Sequence, residues 1–271
     1  IKMKLDDFVI KDIDKDKLYE FLREMEFNRL LSSVISQYGE PKLKEKDTPS
    51  LKGKEISSID RTKYKLLNKL DDIDNWLKHA EEMGELCIDT ETNSLDPHLA
   101  ELVGISLSTD IGKACYIPLK HNGKDLLDTN KVIKKIKPIL EDKSIKKIGQ
   151  NIKFDYIIFY HRGIIMNTME DTMLMSYVLD AGKNRHNMDT LSELHLRHKT
   201  ISYKDLVGSG KKQLTFDQVE IKKATEYAAE DADVTFRLYK LLKKNLIREK
   251  LENIYELFEK PLIKILANME I

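Results

Sequence analysis

The amino-acid sequence predicts an α/β domain in which helices cover a mixed β-sheet. Three strand-like runs follow one another at 85–92, 101–108 and 113–119, and residues 109–112 have the composition of a tight turn. Beyond residue 130, helical and strand-like patterns alternate along the chain. An antiparallel meander followed by alternating helices and strands is typical of a mixed sheet with helices on its faces.

Apolar residues near the N-terminus recur at roughly helical spacing and predict one or two amphipathic helices within 13–38. The next segment, 39–58, is charged, contains Pro41, Pro49 and Gly53, and has no periodicity, which is typical of a linker. We therefore expect four regions: an N-terminal helical segment at 1–40, a charged linker at 41–60, a main domain at 61–248 and a further segment at 249–271.

The remaining elements of the main domain each have a pattern of their own. A helix is predicted at 71–83, directly before the first strand of the meander. Two short apolar runs, at 145–149 and 164–166, are predicted as strands. The helices predicted after the meander lie at 130–141, 153–161, 171–179, 188–198 and 217–244, and the last is long and strongly periodic.

Charge and cysteine content limit the classes of function. The chain has 46 basic and 46 acidic residues, so electrostatic attraction over the whole surface cannot supply strong binding to nucleic acid. Any such contact must be local. Cys87 and Cys115 lie in apolar strand-like runs, and we expect them to be buried thiols in a reducing compartment.

No segment approaches the roughly 20 uncharged apolar residues that a membrane helix needs, and residues 1–12 lack the layout of a signal peptide. We therefore expect no membrane association. The first residue is Ile1 rather than Met, which suggests a processed or excised fragment, so the sequence leaves the localisation open.

Two acidic residues, Asp89 and Glu91, end the first predicted strand of the meander. Side chains alternate across a strand, so these two carboxylates share one face. Like charges this close repel each other unless a cation lies between them, and carboxylate oxygens are ligands for hard divalent cations. The alternative is a solvated strand end that leads into the turn at 93–97.

The apolar stripe of the helix predicted at 217–244 includes an acid, Asp231, in the middle of its buried face. A buried carboxylate is costly unless it is paired with a cation or neutralised. Tyr227 lies four residues earlier, so both side chains project from one face; alternatively, Tyr227 is a core aromatic residue with a satisfied hydroxyl. Glu230 and Asp233 lie off the stripe and are expected to be solvated surface charges.

A third segment, GQNIKFD at 149–155, is predicted as a strand end that turns into a helix. Asn151 is expected to be the N-cap or to lie next to it, and Asp155 falls in the first turn or two. Taken alone, Asp155 could simply stabilise the helix dipole.

Together these segments resemble the DEDDy 3′→5′ exonucleases of the ribonuclease H-like fold. The first motif, DxE, is matched by Asp89 and Glu91, the second by Asn151 and Asp155, and the third, YxxxD, by Tyr227 and Asp231. Further runs are similar to the proofreading domain of family A DNA polymerases over about 69–244: IDTETNSLDP, YIPLKH, RHNMDTL, HKTISY and KKQLTF. The tail at 256–271 resembles the start of such a polymerase's catalytic domain, which this chain does not contain.

The resemblance implies a 3′→5′ exonuclease domain at 61–248 that uses two Mg²⁺ (or Mn²⁺) ions. Asp89, Glu91 and Asp231 would bind the first ion, Asp89 would bridge to the second, and Asp155 would hold part of the second ion's hydration shell. Tyr227 would orient the attacking water. The lysine-rich composition, which suggests an AT-rich genome, points to the plastid polymerases of apicomplexan parasites and hence to an organelle (the apicoplast).

The resemblance also implies a substrate and a partner, namely a single-stranded or frayed DNA 3′ end and a C-terminal polymerase domain in the full-length chain. Leu95 and Tyr203 would grip the terminal bases, with Tyr203 in place of the commoner Phe. Asn151 and Arg185 are further candidates for nucleic-acid contacts, and the lysines of 199–212 could either bind phosphates or lie on a solvated surface.

Two other functions fit the same motifs. An RNA-trimming DEDDy exonuclease would use the same five residues, although KKQLTF and the polymerase-like tail argue against it. A catalytically silent domain that only braces a polymerase is the second alternative, but relatives of that kind have lost acids that this sequence retains.

Overall fold

The computed structural model describes residues 13–25, 27–39, 59–210 and 213–271. The chain forms two compact units, Ile1–Glu55 and Ile56–Ile271. In the first unit, α1 (Lys15–Glu24) and α2 (Asn28–Tyr38) confirm the helices predicted within 13–38. Asp14 caps α1 by accepting a hydrogen bond from the Lys17 amide. The predicted linker lies almost entirely outside the described residues.

The strands of the second unit are β1 (Lys65–Leu66), β2 (Glu85–Thr92), β3 (Leu102–Asp110), β4 (Lys113–Pro118), a small hairpin of β5 (Lys120–His121) and β6 (Lys124–Asp125), β7 (Lys146–Gly149) and β8 (Met169–Asp171). A six-stranded mixed sheet forms the centre of the unit, in the order β1-β4-β3-β2-β7-β8. Strands β2, β3 and β4 are antiparallel neighbours, whereas β1 runs parallel to β4, and β7 and β8 run parallel to β2. The predicted antiparallel meander in a mixed sheet is therefore confirmed.

Helices cover the sheet of the second unit. They are α3 (Leu70–Met83), α4 (Thr129–Glu141), α5 (Lys153–Tyr160), α6 (Thr172–Asp180), α7 (Met188–Leu191), α8 (Tyr203–Val207), α9 (Ile221–Arg248), α10 (Glu252–Ile254) and α11 (Lys260–Glu270). The long helix α9 lies across β2, β3 and β4. No helix among the described residues is long and apolar enough to cross a membrane.

The two faces of β2 pack against different helices because its side chains alternate. Leu86 and Ile88 belong to the core that β2 shares with α3, α4 and α5. Cys87 instead packs with residues of α6 and α9. By the same alternation, Asp89 and Glu91 lie on the α9 side of the sheet. Both cysteines, Cys87 and Cys115, are buried free thiols, as expected.

One predicted strand is wrong: residues 164–166 are a loop, and the strand is β8. Ile164 and Met166 are fully buried while Ile165 is half exposed, so burial alternates along the segment as in a strand although the segment is not one. Its amides bind elsewhere, because that of Ile164 donates to the Phe159 carbonyl and that of Ile165 to the Glu141 carboxylate. Alternating burial therefore does not require a sheet partner.

Two predicted helices have different limits in the structure. The helix predicted at 188–198 is α-helical only as α7 and continues as a π-helical turn, Ser192–Leu196, which Arg197 ends with a φ of 53°. The helix predicted at 217–244 starts later, after a 3₁₀ turn at Phe216–Gln218, and α9 runs on to Arg248.

Candidate active site

Three carboxylates converge between β2 and α9. Asp89, Glu91 and Asp231 each offer one oxygen, and these three oxygens all lie within 4.8 Å of one another. Glu91 and Asp231 are only 7% exposed. The structure thus brings Asp231 together with two acids that precede it by at least 140 residues, and all three were predicted as ligands of one cation.

The donor set of this cluster fits a hard divalent cation. Glu91 Oε1 and Asp231 Oδ1 are buried and have no hydrogen-bond partner among the described residues. Unpaired buried carboxylate oxygens are costly, and hard divalent cations prefer oxygen ligands of this kind. The chemistry of the site therefore matches a cation that satisfies these oxygens.

Burial and mutual repulsion shift the protonation of the cluster. Burial raises the pKa of Asp89 to about 7. Burial, followed by the nearby charge of Asp89, holds the pKa values of Glu91 and Asp231 well above their usual range. Each carboxylate therefore resists ionisation unless positive charge enters the cluster.

Asp155 approaches the cluster from α5, on the other side of β2. Its Oδ1 accepts hydrogen bonds from the Thr90 amide at 2.9 Å and from the Thr90 hydroxyl at 2.5 Å, and the side chain is buried. Thr90 separates Asp89 from Glu91, so this pairing fixes Asp155 beside the two acids of β2. Burial and the charge of Asp89 raise its pKa well above the usual value. The Asp155 side chain is therefore bonded to β2 and lies beside the acids of the cluster.

Asn151 lies directly before the N-cap of α5, which is one of the two positions predicted for it. Its backbone is left-handed, with a φ of 57°, and Ile152 occupies the cap position without a side-chain hydrogen bond. The amides of Asn151 and Ile152 donate instead to the two carboxylate oxygens of Asp171, at 3.1 and 3.0 Å. Because the acid that binds the start of α5 comes from β8, the local sequence could not reveal it.

Asp171 is therefore a structural residue that the sequence analysis missed. It also caps α6 by accepting a hydrogen bond from the Met173 amide at 2.8 Å. Its position directly before a helical pattern was an available N-cap signal. Its second set of partners, at the start of α5, depends on the pairing of β7 with β8.

Tyr227 lies one turn before Asp231 on α9, and the two side chains are close enough for each to shift the pKa of the other. Its ring centroid lies 6.1 Å from that of Tyr203 and 5.9 Å from that of Phe216. Burial, followed by the charge of Asp231, raises the pKa of Tyr227, so the hydroxyl stays protonated and able to donate. The prediction that the side chains of Tyr227 and Asp231 approach each other is confirmed.

The expectation that Glu230 and Asp233 are solvated is wrong, because both are fully buried. Asp233 accepts hydrogen bonds from the Tyr64 hydroxyl at 3.0 Å, from the Gly112 amide at 2.8 Å and from Arg237 Nε at 3.0 Å. Glu230 accepts hydrogen bonds from two segments outside α9. The helix is therefore covered on more than the one side that its apolar stripe indicated.

The residues expected to contact nucleic acid lie at the surface. Leu95 is 95% exposed in the loop after β2, and Tyr203 is 42% exposed at the start of α8, with its ring edge-on to Tyr227. Asn151 and Arg185 are exposed as well. Among the lysines of 199–212, Lys199 and Lys204 are exposed, whereas residues 211–212 lie outside the described part of the chain.

The fold is shared with solved nucleases and with a polymerase. It matches Escherichia coli RNase D with a TM-score of 0.56 at 16% identity, over 75% of this chain and 50% of that one. It also matches Brucella melitensis NrnC with a TM-score of 0.57 at 23% identity, over 76% of this chain and 90% of that one. Pol1 of M. smegmatis gives a TM-score of 0.58 at 16% identity, over 76% of this chain and 31% of that chain. At these identities the likeness establishes the fold alone, which is ribonuclease H-like.

Sequence comparisons give the family. A family model described as 3′-5′ exonuclease matches residues 64–247. DNA polymerase I of Rhizobium leguminosarum is 44% identical over 78% of this chain and 23% of the polymerase, and that of Pseudomonas aeruginosa is 37% identical over 96% and 30%. The chain thus spans less than a third of the length of these relatives. On this evidence the chain belongs to the 3′-5′ exonuclease family of family A DNA polymerases.

Proposed function

We propose that this chain removes nucleotides from the 3′ ends of DNA by hydrolysis that depends on two Mg²⁺ (or Mn²⁺) ions, as the proofreading activity of a longer polymerase. The observation that carries the proposal is the convergence of Asp89, Glu91 and Asp231, with two buried oxygens that have no partner among the described residues. A cluster of this kind is unfavourable by itself and is stabilised by cations.

The carboxylates have different tasks in this proposal. Asp89, Glu91 and Asp231 would hold one ion, and Asp89 and Asp155 would help to hold the second. When bound, the ions supply a strongly nucleophilic water and stabilise the leaving 3′ oxygen. The two hydrogen bonds from Thr90 keep the Asp155 carboxylate oriented, so its contribution needs no rearrangement.

Tyr227 orients the attacking water. Its hydroxyl is protonated at neutral pH and lies at Asp231, and its ring is fixed by Phe216 and Tyr203. A donor held in this way keeps its direction while the reaction proceeds, which is the condition for a positioned hydrogen bond to lower a barrier.

Leu95 and Tyr203 bind the terminal bases, since both side chains are available at the surface and Tyr203 contacts the ring of Tyr227. Stacking tolerates any base, which proofreading requires. Asn151, Arg185 and the lysines of 199–212 contact the phosphate backbone. These contacts are local, in keeping with a net charge of zero.

DNA is the preferred substrate in this proposal because the relatives at 37–44% identity are DNA polymerases. RNA trimming and a silent bracing role are the competing functions. Degradation of 3′-labelled single-stranded DNA and RNA, each with Mg²⁺ or with EDTA, tests all three. We expect DNA to be shortened from its 3′ end with Mg²⁺ alone, and Glu81→Ala, which removes an exposed carboxylate on α3, to behave as wild type.

Faster degradation of RNA than of DNA would replace the proofreading proposal with RNA trimming. No degradation of either strand under any divalent cation would leave the bracing role as the function.

A further inference from the structure

Glu230 precedes Asp231 on α9 and is fully buried, yet both of its oxygens are engaged. Oε1 accepts hydrogen bonds from Arg61 Nε and His198 Nε2, both at 2.7 Å, and Oε2 accepts one from the Ile201 amide at 2.8 Å. Arg61 Nη2 is also 2.7 Å from Oε1. One carboxylate therefore joins α9 to a turn before the sheet and to the loop between the π-helical turn and α8.

This loop leads directly into the residue that the proposed function assigns to the terminal bases. Ile201 is followed by Ser202, whose hydroxyl caps α8 by accepting a hydrogen bond from the Asp205 amide, and then by Tyr203. Only two peptide bonds separate the amide held by Glu230 from Tyr203. The place of that ring is thus tied to the same turn of α9 that carries Asp231.

Other hydrogen bonds hold this loop at residues that precede Ile201. Ser192 donates to the His198 carbonyl at 2.8 Å, Thr200 donates to Asp189 at 2.6 Å, and Arg61 Nη2 donates to the Lys199 carbonyl at 3.2 Å. Of the hydrogen bonds that join this loop to other elements, that of the Ile201 amide to Glu230 lies closest to Tyr203 in the chain. Loss of that contact would leave the last residues before α8 with less restraint.

We propose that Glu230 is a positioning residue, which sets the place of Tyr203 relative to the metal-binding acid Asp231 by holding His198 and the Ile201 amide. This inference rests on the proposed function, because it assumes that Tyr203 binds the DNA end. It assigns Glu230 no contact with substrate or cation.

The test uses Glu230→Gln, which keeps the shape of the side chain but turns one acceptor into a donor. We expect KM for a single-stranded DNA end to rise by about tenfold, within the range of one stacked base, while kcat at saturating DNA changes by less than about twofold. Mn²⁺ affinity, measured by calorimetry, should be unchanged. His198→Gln breaks one of the same contacts at a partly exposed side chain and should raise KM in the same direction.

A matched control is Asp233→Asn. Asp233 lies on the same helix, is equally buried and has as many partners, but those partners are Tyr64, Gly112 and Arg237 rather than the loop before α8. It should lower the thermal midpoint as Glu230→Gln does and leave KM unchanged. A purely structural role of Glu230 would make the two variants alike in both measurements.

A double-variant cycle separates this inference from the proposed function. If Glu230 acts through Tyr203, Glu230→Gln should raise KM in the wild type but not in a Tyr203→Ala background. An equal rise in both backgrounds would overturn the inference and leave Tyr203 in its proposed role. If Tyr203→Ala itself left KM unchanged, the assignment of Tyr203 would fail, and this inference with it. Should Glu230→Gln not fold, the same cycle with His198→Gln decides.

Discussion

Removal of a single hydroxyl, in Tyr227→Phe, separates a catalytic from a structural role for this residue. The ring is retained, so its contacts with Tyr203 and Phe216, at centroid distances of 6.1 and 5.9 Å, should persist. What is lost is the interaction of the hydroxyl with the Asp231 side chain. An interaction of this kind between a hydroxyl and a carboxyl group contributes about 1 kcal/mol net.

Such a loss lowers the thermal midpoint by roughly 2–4 °C for a domain of this size. If the hydroxyl orients the attacking water, turnover should fall by roughly ten- to a hundredfold, which corresponds to about 1.4–2.7 kcal/mol in the barrier. Binding of the DNA end should barely change, because the ring remains in place.

Single-turnover rates at saturating Mg²⁺ and thermal midpoints in EDTA, measured on the same preparations, provide the assay. A full catalytic rate together with a lowered midpoint would refute the catalytic assignment of Tyr227. The hydroxyl would then be a satisfied core group.

Three further predictions concern the binding surface, the acids and the sheet. Ala at Leu95 or Tyr203 should weaken binding of a single-stranded end by about 1–3 kcal/mol for each stacked base and spare Mn²⁺ affinity, so an equal loss of Mn²⁺ binding in calorimetry would contradict the assignment. Folding raises the pKa of Asp89 from 3.8 to about 7. Between pH 3.8 and about 7 the metal-free folded protein therefore binds more protons than the unfolded chain, and its free energy of unfolding should fall as the pH rises through this range. Addition of Mg²⁺ or the substitution Asp89→Asn should remove this contribution to the pH dependence of the thermal midpoint. An unchanged pH dependence would be evidence against the raised pKa of Asp89. Gly104→Ala should destabilise the domain by about 1–3 kcal/mol in urea titrations, since an added Cβ would lie 2.1 Å from the Tyr116 hydroxyl oxygen, and a neutral substitution would show that Tyr116 can move away.

The candidate acids were predictable because their positions follow from short-range periodicity. The period of two in β2 placed Asp89 and Glu91 on one face, and the apolar stripe of α9 placed Asp231 on the buried side. These patterns depend only on local geometry. The distance between β2 and α9 depends on the fold, which the motif resemblance supplied.

The surroundings of α9 were not predictable in the same way. Glu230 was expected to be solvated because a single apolar stripe implies one buried face, yet Arg61 and the loop at 198–201 cover a second face. Arg61 lies 169 residues from Glu230. No local pattern marks which charged residue will meet a partner that far along the chain.

The strand predicted at 164–166 was wrong for a related reason. All three residues are apolar, as in a short buried strand, but pairing with a neighbouring strand is a property of the sheet, and β7 pairs with β8 instead. Similarly, Asp171 binds the start of α5 only because β8 ends beside it.

The most direct test of the metal-dependent mechanism uses the double variant that carries Asp89→Ala and Glu91→Ala. The measurement is the rate at which this variant releases 3′-terminal nucleotides from single-stranded DNA in the presence of Mg²⁺. The substitution removes two ligands and relieves the repulsion within the cluster, so we predict no detectable release from a protein whose thermal midpoint in EDTA is unchanged or higher. Release at a rate near that of the wild type would contradict the assignment of these acids to the catalytic cations.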